Sequence, residues 1–185
     1  RASFVQRVLD VLRGVLSRPN GQGDRLCSDL DLTHLRVAAG KAVLMIARTD
    51  HVAVTPDLYI STSLLMSIAP GEMIRKLHHG IVKHGLAQGY AAPLALTALN
   101  SDSETRKEAR ETLESIMVHV RRRAANVKAT AVKSAPASVD SAALSRTLLT
   151  HTAEYLLPYL IFLLAHHPDL PSKDLGEEDC GSAYR

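Results

Sequence analysis

The chain has 185 residues, enough for one domain burying about 70% of its unfolded-chain surface. Its formal charge of +3 and pI near 9.0 permit acidic partners without demanding them. Aromatics make up 4% of the residues against 46% hydrophobic overall, and no strand-like alternation of β-branched residues persists beyond a few positions, which favours an all-helical fold. Cys27 and Cys180 stand far apart with no CxxC, so no disulfide framework is indicated and a reducing compartment fits. No signal peptide and no bilayer span of ~20 apolar residues is expected. The chain opens at Arg1 in helical periodicity, so it is expected to be a piece of something longer.

In chain order, Ser3 to Ser17 reads as a helix striped by Phe4, Val5, Val8, Leu9, Leu12, Val15 and Leu16 and ended by Pro19-Asn20-Gly21. After a polar loop to about Ser28, Asp31 or Thr33 caps a helix from Leu35 to Arg48 whose buried face is Leu35, Ala38, Ala39, Ala42, Val43 and Ile46. Thr55-Pro56 starts a third helix to about Ala69, and Pro70-Gly71 is read as a turn. A fourth helix runs from Glu72 to Gln88, and a short fifth from Ala91 to Leu99. Asn100-Ser101-Asp102 caps a long helix to about Arg123, with Leu113, Ile116, Met117 and Val120 inside and an ion-paired outer side. Ala124 to Asp140 is small, polar and basic and reads as a flexible insertion, followed by a helix from Ser141 to Leu149.

Glu154 to Asp169, EYLLPYLIFLLAHHPD, is the densest apolar run. Leu156, Leu160, Leu163 and Leu164 fall on one side, and Tyr155, Tyr159 and Phe162 cover most of the other. A helix apolar nearly all round needs cover on more than one side, so it is expected to be wedged between others. Pro158 is expected to bend it and Pro168 to stop it. After Pro171 the sequence turns acidic at Asp174, Glu177, Glu178 and Asp179 and is expected to be a disordered tail.

Paired helices with tight turns recur, and so does a signature of an acidic residue followed by an arginine: Asp31 with Arg36, Glu72 with Arg75, Asp102 with Arg106. The arginine spacing of about 30–40 residues is close to that of HEAT and armadillo arrays. An acidic turn residue can cap a helix and bind an arginine one turn in, and stacked turns would then form a polar ladder.

Catalytic chemistry finds little purchase. His78-His79 with His84, and His166-His167, lack the i, i+4 pair with a neighbouring glutamate that zinc hydrolases use. No GxSxG or GxxxxGK[ST] occurs, and Gly40-Lys41 falls inside a helix where no phosphate cradle can form. The expectation is a non-enzyme with no cofactor and no metal. Arg121, Arg122 and Arg123 with Lys128 and Lys133 form the one basic cluster. The ordinary account of it is a helix C-terminus stabilised by cations and followed by a soluble loop. The functional account is contact with DNA phosphate, an acidic partner segment or an inositol phosphate. Without interleaved aromatics, base stacking is not indicated.

Glu154 to Asp169 resembles the E-Y-x-x-P-Y-x-I-x-L-L-A-H-x-P-D segment of the Pds5 sister-chromatid cohesion proteins. Leu35-Arg36-Val37-Ala38-Ala39 is similar to that family's R-L-x-x-A helix, and Ile74-Arg75 with Lys76-Leu77 and Gly85-Leu86 to its V-R and K-L-x-K-G-L helix. Arg106, Ala109-Arg110 and Val120-Arg121-Arg122 match its A-R and V-R-R helix. The four matches are collinear across about Asp31 to Pro171. The resemblance implies an all-α, HEAT-like α-solenoid of stacked antiparallel helix pairs over 1–171, with the link 124–140 inside it and the tail 172–185 after it. It also implies a nuclear, chromatin-associated scaffold that binds the cohesin kleisin subunit and Wapl-type release factors, supports sister-chromatid cohesion in mitosis and takes part in ring release. Plant members are linked to DNA repair. The insertion at 124–140 is longer than the family's usual link, and the helix that should complete the last repeat is missing after Pro171. The competing expectation is a HEAT-like nucleic-acid-binding module using the basic cluster 121–133.

Overall fold

Ser28 shows how local chemistry sets a helix boundary. Its hydroxyl accepts the Asp31 amide at 3.2 Å while the Asp31 carboxylate accepts the Ser28 amide at 3.2 Å, a reciprocal capping box. The helix it opens, α2 (Asp29–Thr49), therefore starts more than a turn and a half before the expected Leu35, and Asp31 is the third residue inside rather than the cap. The computed structural model describes residues 2–18, 28–134 and 152–167. The remaining helices are α1 (Ala2–Leu16), α3 (Pro56–Ser63), α4 (Leu65–Ile68), α5 (Pro70–His84), α6 (Pro93–Leu96), α7 (Ser103–Ser134) and α8 (Leu157–Ala165). Single 3-10 turns flank α6 at Gln88–Ala91 and Thr97–Leu99, and another, Ala153–Leu156, leads into α8.

The helices form two layers. In one, α1, the α3–α4 pair, α6 and α8 follow each other; in the other, α2, α5 and α7 do. Each first-layer member packs across on its chain successor, α1 on α2, α4 on α5 and α6 on α7. This is the all-α, HEAT-like solenoid of side-by-side hairpins, and no strand occurs among the described residues. Leu9, Val43 and Leu58 close the first junction, from α1, α2 and α3. Leu44, Leu65, Met73, Ile74, Leu77, Ile116 and Leu163 form the larger core that runs through the rest. Burying each such side chain is worth about 1.5–3 kcal/mol before chain entropy is counted.

The buried face of α2 differs from the expected one. Leu35 and Ala38 are exposed, while Val37, Gly40, Val43, Leu44 and Ala47 face the layers. Gly40 lets the Leu65 side chain of α4 lie directly on α2: a Cβ there would collide with Leu65 Cδ1, and that side chain would have to shift. The expected third helix is interrupted at Leu64. Pro70 is the first residue of α5 rather than part of a turn, because that position needs no amide donor. α5 stops at His84, short of the expected Gln88. Gly85 takes φ 71°, the Leu86 amide reaches back to the Gly80 carbonyl at 3.0 Å, and Leu86 folds over Gly80. The expected helix from Ala91 to Leu99 is instead α6 between two 3-10 turns.

Two further expectations are corrected. α7 does not end at Arg123; helix continues through Ala124 to Ser134, so the first part of the expected link at 124–140 is helical. Nothing there breaks a helix before Pro136, and alanine-rich sequence sustains one. The remainder of that link, the expected helix at 141–149, the tail 172–185, Cys27 and Cys180 lie outside the described residues. Pro158 does not bend the middle of a helix. It stands in the first turn of α8, where the lead-in changes from 3-10 to α. Nor is α8 covered on two sides by the described residues: Leu163 is buried, Tyr159, Leu160 and Phe162 half-buried, and Leu157, Ile161 and Leu164 exposed.

The polar ladder exists with other partners. Lys41 of α2 pairs with Glu72 of α5, and Arg75 of α5 faces Glu108 of α7 at 4.0 Å, so it crosses the second layer helix by helix. Arg36 lies about 140° around the helix from Asp31 and instead donates to the Arg18 carbonyl. Arg106 donates to the Asn100 and Ser101 carbonyls at 2.6 and 2.9 Å. The Asp102 carboxylate is already taken by the amides of Glu104 and Thr105 and by the Thr105 hydroxyl.

Candidate functional site

Because α7 runs on to Ser134, Arg121, Arg122 and Arg123 lie well inside a helix and do not offset a C-terminal dipole. All three are exposed, but successive residues point ~100° apart, so they fan around the helix instead of forming one patch. Arg123 turns, with His119 one helical turn before it, into a cleft; Arg121 and Arg122 do not line it. The side chains of Lys128 and Lys133 lie outside the described residues.

That cleft, about 250 Å³, is walled by Ile81, Leu86, Gln88, Gly89, His119, Val120, Arg123 and Tyr155. A second cleft of about 300 Å³ is lined by Val54, Pro56, Tyr59, Tyr90, Pro158 and Phe162. His51, Ala87 and Tyr159 border both, so the two meet at the Tyr159 ring. Among the described residues no Asp or Glu lines either one.

An aromatic plate centred on Tyr59 underlies this arrangement. The Tyr59 ring meets Tyr90 edge-on at 5.2 Å and Tyr159 edge-on at 6.0 Å, with Phe162 tilted at 6.4 Å. Its hydroxyl donates to the Gly89 carbonyl at 2.9 Å. Tyr159 lies so close over Gly89 that a Cβ there would meet its ring at 2.6 Å. The plate thus joins α3, the 3-10 turn before α6, and α8. Burial raises the Tyr59 phenol well above its ordinary range and pushes Tyr90 up to about 12, so both stay protonated at neutral pH. Gln88 is 8% exposed; its amide nitrogen donates to the Thr152 carbonyl at 3.0 Å, and its Oε1 has no hydrogen-bond partner among the described residues.

The histidines serve packing and surface contacts. His79 and His84 meet edge-on at 4.4 Å, and desolvation, then the charge of Arg48, lowers the His84 pKa. His78 Nε2 lies 3.2 Å from the Ser115 hydroxyl. Among the described residues no three His, Cys, Asp or Glu side chains gather as a metal site would need, and no helix is long and apolar enough to cross a membrane. The aromatic plate escapes a reading of the sequence because Tyr59, Tyr90 and Tyr159 come from separate elements. The one legible signal is the crowding of aromatics in 154–169.

Residues 2–183 match the family described as "Sister chromatid cohesion protein PDS5 protein". The chain belongs to the PDS5 family. PDS5 homolog A of Danio rerio is 32% identical over 149 residues, and its human counterpart 30% identical over 148, each match covering 77% of this chain and 10% of the relative. Human PDS5 homolog B is 32% identical over 145 residues, 75% of this chain and 9% of the relative. The chain thus spans about a tenth of the length of these relatives. In this PDS5-family segment the described parts of the stretches that carried the resemblance fall on α2, on α5 and the turn after it, on α7, and on α8 with its 3-10 lead-in, in the order expected.

Proposed function

We propose that the chain is part of a non-catalytic scaffold of the cohesin complex that supports sister-chromatid cohesion in the nucleus, on chromatin. In this reading it regulates ring release by binding the kleisin subunit and Wapl-type factors as extended segments along the solenoid. The supporting observation is the family match over residues 2–183, from α1 past the end of α8, in a chain that folds as stacked hairpins. Neither cleft carries a nucleophile beside a base, and the titratable groups with shifted pKa values are capping or ion-paired carboxylates, buried phenols and one packed histidine. The test is co-precipitation of the full-length protein with the cohesin kleisin. Capture above that of an unrelated HEAT protein supports the reading, and repeated failure at low salt removes it.

The second reading is a nucleic-acid-binding module using the basic cluster, favoured by the exposure of Arg121, Arg122 and Arg123. Filter binding to duplex DNA at two salt concentrations distinguishes it. If the arginines neutralise phosphates, replacing all three with alanine weakens binding and flattens the log–log salt slope by about 0.9 for each phosphate no longer neutralised. Unchanged affinity removes this reading.

A further inference from the structure

We propose that the two clefts flanking Tyr159 form one docking groove for an extended, acidic peptide segment of a partner protein. A bulky apolar side chain sits against Pro158 and Tyr159, and carboxylates meet His119 and Arg123. The inference deepens the scaffold reading and rests on it.

Three observations converge. The clefts are adjacent, since His51, Ala87 and Tyr159 border both. Their chemistry is graded. One end is walled by proline and aromatic rings, about 300 Å³ in volume, enough for a leucine or phenylalanine side chain. The other end presents His119 and Arg123 one turn apart on α7, with no acidic residue on either wall among the described residues. Arg123 makes no ion pair among the described residues, so its charge is available to an incoming carboxylate.

The third observation is Gln88. It is more than nine-tenths buried in the wall of the basic cleft, its amide nitrogen is held by Thr152, and its Oε1 accepts no hydrogen bond among the described residues. An acceptor left without a donor is costly, and because this oxygen is itself closed off from the cleft, an incoming main-chain N–H meets it only when the Gln88 side chain turns outward on binding. A nucleic acid fits less well. Tyr90 and Tyr159 stand edge-on to Tyr59, with Phe162 tilted beside it, and the rings pack on one another, which leaves no row of open faces for bases to stack on.

The test uses the full-length protein and a fluorescein-labelled synthetic peptide with a single phenylalanine followed by a pair of glutamates in a Gly-Ser background, read by fluorescence anisotropy. Pro158 and Arg123 are both exposed, so Pro158→Glu and Arg123→Glu each alter one end of the groove without removing core. Each is expected to weaken the peptide about tenfold or more. Replacing the phenylalanine by alanine, or the glutamates by lysine, is expected to do the same. The proposal is overturned if the peptide does not bind, if both variants bind it as wild type does, if the lysine peptide binds equally well, or if a single-stranded oligonucleotide displaces it completely. Kleisin co-precipitation separates the two levels. Peptide binding without kleisin capture removes the cohesin reading and keeps the groove; kleisin capture without peptide binding removes the groove alone.

Discussion

Replacing Gly89 with alanine should loosen α8, although the same change at an ordinary helical glycine would tighten a protein. Gly89 does not have positive φ, so alanine fits its backbone and should gain about 0.4–1 kcal/mol by restricting the unfolded chain. Against this, the new Cβ would meet the Tyr159 ring at 2.6 Å, and a normal contact of ~3.5–4 Å requires the ring to move by about 1 Å. Tyr159 then pulls away from its ring neighbours, Tyr59 at 6.0 Å and Tyr155 at 5.8 Å. At about 0.5–1.5 kcal/mol for each ring pair the cost is about 1–3 kcal/mol, a net destabilisation of about 0–2.6 and about 1.3 at the midpoints. Hydrogen exchange on the full-length protein reads this directly: amides of α8 should exchange about 5–30-fold faster, with those of α5 unchanged. Tyr159→Ala should suppress the effect, so the double substitution costs less than the sum of the singles. If Gly89→Ala slows exchange in α8, the close approach of ring and backbone is wrong.

Further outcomes follow from the same geometry. Tyr59→Phe keeps the ring and removes one of two donors to the Gly89 carbonyl, which retains the Ala92 amide at 3.2 Å, so local opening of the Gln88–Ala91 turn should become easier by about 0.5–1.5 kcal/mol in the same exchange measurement. Leu163→Ala should cost about 2–5 kcal/mol because the side chain is 2% exposed, whereas Ile161→Ala, at 66% exposed, should stay within ~0.5 kcal/mol. Asp31, Glu72 and Asp102 have pKa values lowered by hydrogen bonds from Ser28, Lys41 and Thr105 respectively. Their folded values lie below the unfolded ones, so the stability they contribute is complete above the ordinary carboxylate range and lost as pH falls through the folded values. Thermal melts at stepped pH should therefore decline slightly through the ordinary histidine range, where His84 charges more readily in the unfolded chain, and drop further below the ordinary carboxylate range. Asp102→Asn should make that drop shallower.

Much of the helical pattern was legible because it is written locally. Pro56 at a helix start, Asp102 as a cap, and Leu113, Ile116 and Val120 on one stripe needed only neighbours within a turn. Boundaries failed where two local readings competed. At Ser28 the sequence also offered Asp31 as a cap, and at Pro70-Gly71 a turn was as plausible as a helix start. The rotated face of α2 depends on Leu65, far along the chain, filling the space over Gly40, which no periodicity within α2 reveals. The groove was hidden for the same reason. Tyr59, Tyr90 and Tyr159 gather only after three separate elements stack, and Arg123 looked like a helix end until α7 was seen to continue. The run at 154–169 reads as apolar nearly all round, but sequence alone did not show that Tyr159, Leu160, Phe162 and Leu163 meet described neighbours while Leu157, Ile161 and Leu164 stay exposed.

The stacking order of the second layer is the claim on which everything else depends, and pairwise cross-linking tests it most directly. Cysteines placed in the full-length protein at Lys41 and Glu72, and at Arg75 and Glu108, should each be joined efficiently by a short bismaleimide, because each pair spans adjacent helices. The pair at Lys41 and Glu108, on α2 and α7 with α5 between them, should not be joined. Linkage of 41 to 108, or failure of both neighbouring pairs, would contradict the arrangement of side-by-side hairpins.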